Sequence, residues 1–300
     1  MSTETPSVQP PSTEPPTAPP QKRTGGDVAR TVLRGVGQTL ITLGVVVLLF
    51  VVYEVYVTDL FGAQKQAEAT SAIDQVWASA ESEQTDTVVV QNPDQLVTDP
   101  RQRTPNYEAS LGQGFAKMYV PAFGADYVFT IIEGTDPDDL YIGPGHYTVT
   151  QLPGQQGNFA VAGHRVSKGA PFNDLGLLAS CDAIVVEAQD DWFIYRVLPM
   201  ADETANWADT PRAHCDGVGV QTGAYDGVYG REITVPSDYA QVLPVPHVNS
   251  TAVPADAERL ITLTTCHPQF SDAERMIIHG VLVKSYAKSP GFLPPELGEG

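Results

Sequence analysis

Leu260-Ile261-Thr262-Leu263-Thr264-Thr265-Cys266-His267-Pro268 is an apolar, β-branched run with period-2 character that a proline stops two residues after a cysteine. Val, Ile and Thr enrichment bounded by proline reads as a strand whose rim residue is Cys266. A thiol so placed is held by a rigid sheet yet stays within reach of a substrate. The next run, Arg275-Met276-Ile277-Ile278-His279-Gly280-Val281-Leu282-Val283, reads as the hairpin partner, with Arg275 at its start. Cysteine is a weak nucleophile at its free pKa of ~8.5, and a fixed cation nearby favours the reactive thiolate. Apolar residues on both faces of the second run imply burial on both sides, as in a central strand of a closed sheet.

A cysteine nucleophile also needs a proton donor and acceptor. His267 adjoins Cys266, but neighbouring side chains on a strand point to opposite faces. The better placed candidate is His164, which ends the apolar run Gly157-Asn158-Phe159-Ala160-Val161-Ala162-Gly163-His164-Arg165. Together, Thr262 to Cys266, Arg275 nine positions on and Gly163-His164-Arg165 upstream resemble the sortase family of transpeptidases. The Cys266-His267-Pro268 ending and Gly143-Pro144-Gly145-His146-Tyr147 look most like the actinobacterial class E sortases. The resemblance covers roughly Phe115 to Tyr286.

The chain has 300 residues, 42% of them hydrophobic, which is ample for one globular domain with appendages. Seven prolines fall in the first 20 residues among Ser, Thr and Glu, a composition unable to bury a core. Residues 1–34 are therefore expected to be a disordered Pro-rich tail with a basic flank (Lys22, Arg23, Arg30, Arg34), and residues 35–58 a transmembrane signal-anchor helix. The apolar run is too long for a signal peptide's core and no small-residue cleavage pattern follows it. Positive charge before the span orients the N-terminus to the cytoplasm and the remainder outside.

Charge divides the same way. Residues 1–58 carry four basic and four acidic side chains, so the formal net charge of −19 belongs to the remainder. An acidic ectodomain argues against nucleic acid as a partner and against docking on anionic lipid. Residues 59–110 are expected to hold a juxtamembrane amphipathic helix, with Leu60, Phe61, Ala69, Ile73, Val76 and Trp77 on its apolar side, and then a polar linker. Pilin-polymerising sortases carry an Asp-Pro-aromatic lid signature in that region. Here Asp99-Pro100 is followed by Arg101, which departs from it.

From residue 111 to 288 short β-branched or aromatic runs alternate with Gly, Pro and Asp turns. They lie near Lys117–Pro121, Tyr127–Glu133, Asn158–His164, Ala183–Ala188, Trp192–Met200, Arg231–Val235, Leu260–Cys266 and Met276–Tyr286. The reading is mainly β: a closed eight-stranded sortase-like barrel with short helices, preceded by a single transmembrane helix and followed by a tail over 289–300. A short helix is expected over Ala170–Leu178, and Ala201–Gly230 reads as a long excursion from the barrel.

The resemblance implies Cys266 as nucleophile, His164 as proton donor and acceptor, and Arg275 as stabiliser of the oxyanion. It makes Tyr147 and Thr265 candidates for substrate contact; class E sortases carry a tyrosine at this position, associated with alanine over proline at the second signal position. The implied reaction opens a Leu-Ala-X-Thr-Gly-like signal on a secreted protein between Thr and Gly. The implied acceptor is the amine of a lipid-linked peptidoglycan precursor. Lysine-directed pilin polymerisation and non-catalytic peptide binding are the alternatives. If Cys266 stays free for catalysis, Cys181 and Cys215 are left either as a disulfide pair or as a buried and an exposed thiol. No metal or cofactor is expected: Cys215 beside His214 and Cys266 beside His267 lack the paired short spacings of zinc sites, and no phosphate-binding glycine loop appears.

Overall fold

Strand β8 (Arg259–His267) carries the quoted cysteine and lies between a parallel neighbour, β4 (Gly157–Ala162), and an antiparallel one, β9 (Glu274–Ala287). The structure is a computed structural model that describes residues 25–53, 58–83 and 109–300. The Pro-rich segment 1–24 and Asp99-Pro100 lie outside the described residues. Two compact units divide at Val51/Val52.

The first unit holds helix α1 (Gly25–Val52), of which Ala29–Val52 is long and apolar enough to cross a membrane. Those 24 residues extend about 36 Å, beyond the ~30 Å of a hydrocarbon core. Within it Thr39 Oγ1 donates to the Gly35 carbonyl and Thr42 Oγ1 to that of Gln38, the internal satisfaction a helix in an apolar medium would need. The helix starts ten residues before the expected 35, because Ala29, Arg30, Leu33 and Arg34 are good helix formers that extend it past the apolar run.

In the second unit eight strands close a ring in the order β1 (Gly114–Tyr119), β2 (Val128–Glu133), β3 (Gly145–His146), β4, β8, β9, β6 (Asp191–Val197) and β5 (Ala183–Glu187), with β5 returning to β1. A ninth strand, β7 (Arg231–Thr234), continues along the β9 edge beyond β6. The ring thus has eight strands, but not the eight expected. The Arg231–Val235 run lies outside it, and its place is taken by two-residue β3, too short for any periodicity to show. Gly280 sits where β9 passes from β6 to β7, and a Cβ there would stand 2.9 Å from the Arg196 carbonyl oxygen. The interior is filled by Phe115, Met118, Phe159, Ile184, Tyr195, Ile261, Leu263 and Ile278, among others; each such side chain contributes roughly 1.5–3 kcal/mol by burial.

Two local expectations change. Ala170–Leu178 forms only a 3-10 turn at Leu175–Leu177, while an unexpected helix, α3 (Pro137–Ile142), follows β2. The excursion 201–230 is folded back, with Trp207, Val218, Tyr225 and Val228 packed on Leu198, Leu260 and Val281. A Cys181–Cys215 disulfide, Cα atoms 5.1 Å apart, closes it over a separation of 34 residues, a loop whose closure contributes ~3–4 kcal/mol in the chain-entropy model.

Helix α2 (Thr58–Glu83) lies on the barrel by a face different from the expected stripe. Ile73 and Trp77 are buried, but Leu60, Phe61 and Val76 are exposed, and the helix meets the barrel instead through Gly62 and Gln66. The Gln66 amide accepts from the Thr130 N–H and donates to the Thr130 and Ile142 carbonyls. Thr70 and Thr130 hydroxyls share a hydrogen bond, and Lys117 reaches both Asp74 and the face of Trp77. Backbone groups of β2 and α3 that no strand pairs are thereby satisfied by an amide.

Replacing Gln66 by Ala leaves a buried N–H unpaired, which costs ~1–3 kcal/mol. Gln66→Ala is expected to lower the unfolding free energy by about 2 kcal/mol, whereas Leu60→Ser stays within about 0.5 kcal/mol. Urea unfolding followed by tryptophan fluorescence measures both.

Candidate active site

Side chains opposite one another across an antiparallel pair share a face. The β8–β9 register therefore builds one outer row from Leu260↔Val281, Thr262↔His279, Thr264↔Ile277 and Cys266↔Arg275. Ile261, Leu263, Met276 and Ile278 point the other way, into the barrel. Cys266 ends the row half-buried and is a free cysteine, while the other two are bonded to each other. Arg275 stands across from it, and its Nη1 donates to the Asp272 and Glu274 carbonyls, both at 3.0 Å, which ties the guanidinium to the hairpin turn.

The parallel β4–β8 ladder delivers His164. Ala162 pairs with Thr264, and the bonding continues past the strand end: the Gly163 N–H donates to the Thr264 carbonyl at 3.0 Å and Thr265 Oγ1 to the Gly163 carbonyl at 2.7 Å. His164 is the next residue, at the same end of the parallel pair as Cys266. Gly163 is needed for this approach, since a Cβ would strike the Phe172 ring at 2.5 Å. The His164 carbonyl accepts from the Phe172 N–H, and its Nε2 is buried with no hydrogen-bond partner among the described residues. Burial, and then the Lys168 cation, hold the imidazole below its ordinary pKa, so the ring is mainly neutral near neutral pH. Lys168 lies where Gly62 of α2 meets the chain: a Cβ on Gly62 would stand 3.2 Å from the Lys168 carbonyl carbon.

Tyr147 follows β3. His146 before it is buried, with Nδ1 2.7 Å from Glu133 Oε2, and so fixes where the tyrosine emerges. The Tyr147 hydroxyl shares a hydrogen bond with Thr264 Oγ1 at 3.0 Å, and burial pushes its pKa up against the opposing pull of the Thr264 hydrogen bond and the Arg275 charge. Tyr147, Thr264, Cys266 and Arg275 thus form one neighbourhood.

Of the residues read from the sequence, Cys266, Arg275, His164 and Tyr147 come together at one rim of the barrel. Thr265 does not join them as a contact surface: it is 3% exposed on the inward face, and its hydroxyl is spent on Gly163. It positions the His164 strand instead. Arg165 was missed. Its Nη1 donates to the Cys266 carbonyl and to His267 Nδ1 at 2.7 Å, which engages His267 away from the thiol. Its place directly after His164 was the available signal.

The sequence profile of the Sortase domain family matches residues 118–283. Sortase SrtE2 of Streptomyces coelicolor is 27% identical over 287 residues, covering 92% of this chain and 91% of that protein. Sortase SrtE1 of the same organism is 29% identical over 265 residues, covering 86% of this chain but only 59% of that longer protein. Among solved structures, the SrtF sortase of Corynebacterium diphtheriae is 46% identical with a TM-score of 0.58, covering 67% of this chain and 98% of that one.

Since a like charge lowers an imidazole pKa, removing it must raise that value. Nuclear magnetic resonance titration of the His164 ring is expected to give a midpoint below the ordinary ~6.5, and Lys168→Met to move it to higher pH. An unmoved midpoint would remove Lys168 from the site's electrostatics.

Proposed function

The chain belongs to the sortase family, and from that premise we propose that it is a membrane-anchored cysteine transpeptidase. Helix α1 is its single anchor, the N-terminus is cytoplasmic and the barrel is extracellular. Its substrates are secreted proteins bearing a Leu-Ala-X-Thr-Gly-like signal, and its acceptor is the amine of a lipid-linked peptidoglycan precursor. The observation that carries the reading is the shared rim, where Cys266 pairs with Arg275 across β8–β9 and His164 follows the β4–β8 ladder.

The reaction divides one difficult amide exchange into two steps. The Cys266 sulfur, as thiolate, attacks the threonine carbonyl carbon, and negative charge develops on the oxygen. Arg275 stabilises that oxyanion; such preorganised donors are worth ~3–4 kcal/mol where measured. The C–N bond to glycine breaks as protonated His164 gives its proton to the departing amine, leaving a thioester on Cys266. The acceptor amine then attacks the thioester, neutral His164 takes its proton, and a new amide forms as the thiolate leaves. Depression of the His164 pKa suits the second step, which needs the neutral ring. Similarity to the Streptomyces sortases SrtE1 and SrtE2 supports the class E reading, as does Tyr147, whose hydroxyl lies on Thr264 beside the thiol's row.

Intact-mass measurement should find an acyl adduct with Leu-Ala-X-Thr-Gly peptide on the native chain and none on Cys266→Ala; an adduct on the variant would remove Cys266 as nucleophile. The Leu-Ala peptide should turn over faster than its Leu-Pro counterpart, and equal rates would exclude the Tyr147 assignment. Offering a peptidoglycan stem amine and a pilin lysine side by side separates wall attachment from pilin polymerisation.

A further inference from the structure

Behind the catalytic rim, the outer row of β8–β9 runs into a second group of side chains that the mechanism does not use. Glu232 on β7, His279 on β9 and His247 in the β7–β8 connection bring their ligand atoms within 4.8 Å of one another. The histidines have different surroundings: His279 is fully buried, while the His247 side chain is 36% exposed.

Hydrogen-bond accounting fixes the protons around His279. The Asn158 amide nitrogen donates to the Gln241 and Leu243 carbonyls, so its oxygen must accept. The hydroxyl of Thr262 reaches that oxygen at 2.7 Å and gives it its only proton. Thr262 must then accept from His279 Nδ1, 2.8 Å away, which places the ring proton on Nδ1. The lone pair on Nε2 consequently faces two oxygens, Gln241 Oε1 at 3.1 Å and Glu232 Oε1 at 3.8 Å. Turning the Gln241 amide over does not help, because its nitrogen donates to Asp238 Oδ2 at 3.1 Å and Glu232 Oε2 at 3.3 Å. Its oxygen would then meet two carboxylates.

We propose that Glu232, His247 and His279 form a binding site for a divalent transition metal of the zinc class. Two imidazole nitrogens and one carboxylate are a recurrent zinc ligand set, with a fourth position left for water. Zinc–nitrogen bonds of about 2.0 Å in a tetrahedron separate ligand atoms by about 3.3 Å. Measured to one carboxylate oxygen, Glu232 Oε1, the His247 Nε2 and His279 Nε2 separations are 3.1 and 3.8 Å, on either side of that value. The Nδ1 donation from His279 to Thr262 is the outer contact that fixes tautomer and ring orientation in metal-ligating histidines. The exposed side of His247 is the entry path. A simple His247–Glu232 ion pair accounts for neither the His279 lone pair nor the Gln241 oxygen aimed at it.

The site is separate from the catalytic centre. Thr262↔His279 lies four residues along the ladder from Cys266↔Arg275, about 13 Å at strand rise. Metal there would tie the β7–β8 connection to β7 and β9.

The test titrates Zn2+ calorimetrically into the full chain in detergent, in a Cys266→Ala background so that the free thiol does not compete. One equivalent is expected to bind with micromolar or tighter affinity. His247→Ala and Glu232→Gln should each weaken binding by at least about tenfold, with unchanged far-ultraviolet circular dichroism. Co2+ in the same background should give the intense visible absorption of a four-coordinate centre, lost in His247→Ala. Affinity weaker than micromolar, or binding that neither substitution moves, would mean an ion pair only and would overturn the proposal.

Discussion

Strand β8 hydrogen-bonds a parallel partner on one edge and an antiparallel partner on the other, and the site depends on both registers holding at once. A slip of one residue on either edge would exchange the inner and outer faces. It would send Cys266 into the barrel and Ile261 and Leu263 into solvent. The apolar interior therefore guards the geometry of the candidate site without touching it, since the burial that fixes Leu263 inward also fixes Thr264 and Cys266 outward. Thr265 makes the link explicit: it faces inward, yet its hydroxyl holds the Gly163 carbonyl and with it the approach of His164.

The outer row shows how one strand pair is divided among several roles. Leu260↔Val281 belongs to the apolar satellite that seats the 201–230 excursion. Thr262↔His279 enters the polar cluster with Asn158, Gln241 and Glu232. Thr264 holds the Tyr147 hydroxyl, and Cys266↔Arg275 ends the row at the rim. Each step of two residues along β8 changes the chemistry because a different loop covers that stretch of the sheet.

Helix α2 is held by polar bonds rather than by a broad apolar stripe. The Gln66 amide is committed to Thr130 and Ile142, and Gly62 brings the helix backbone against the Lys168 segment near His164. Bonds of this kind contribute little net energy while made, but leave a buried N–H and carbonyls stranded when broken. They give the helix a single seating on the barrel.

Much of this was legible in the sequence. The period-2 run ending at Cys266, its hairpin partner at Arg275 and the apolar run ending at His164 carried the barrel class and three candidate site residues. Strand pattern, proline stops and residue type are local properties, as are the apolar length and basic flank of α1. What required the tertiary structure was whatever depends on pairing at a distance. β3 is strand only because β2 and β4 flank it. The α2 seating turns on Gln66, which reads as an ordinary solvated residue until Thr130 and Ile142 arrive beside it. The Thr265 side chain was turned inward by the β4–β8 register. Glu232, His247 and His279 share no spacing that sequence could flag, because β7, β9 and a loop bring them together only after the ring has closed. Periodicity reports which face a residue takes; closure of the barrel decides what that face meets.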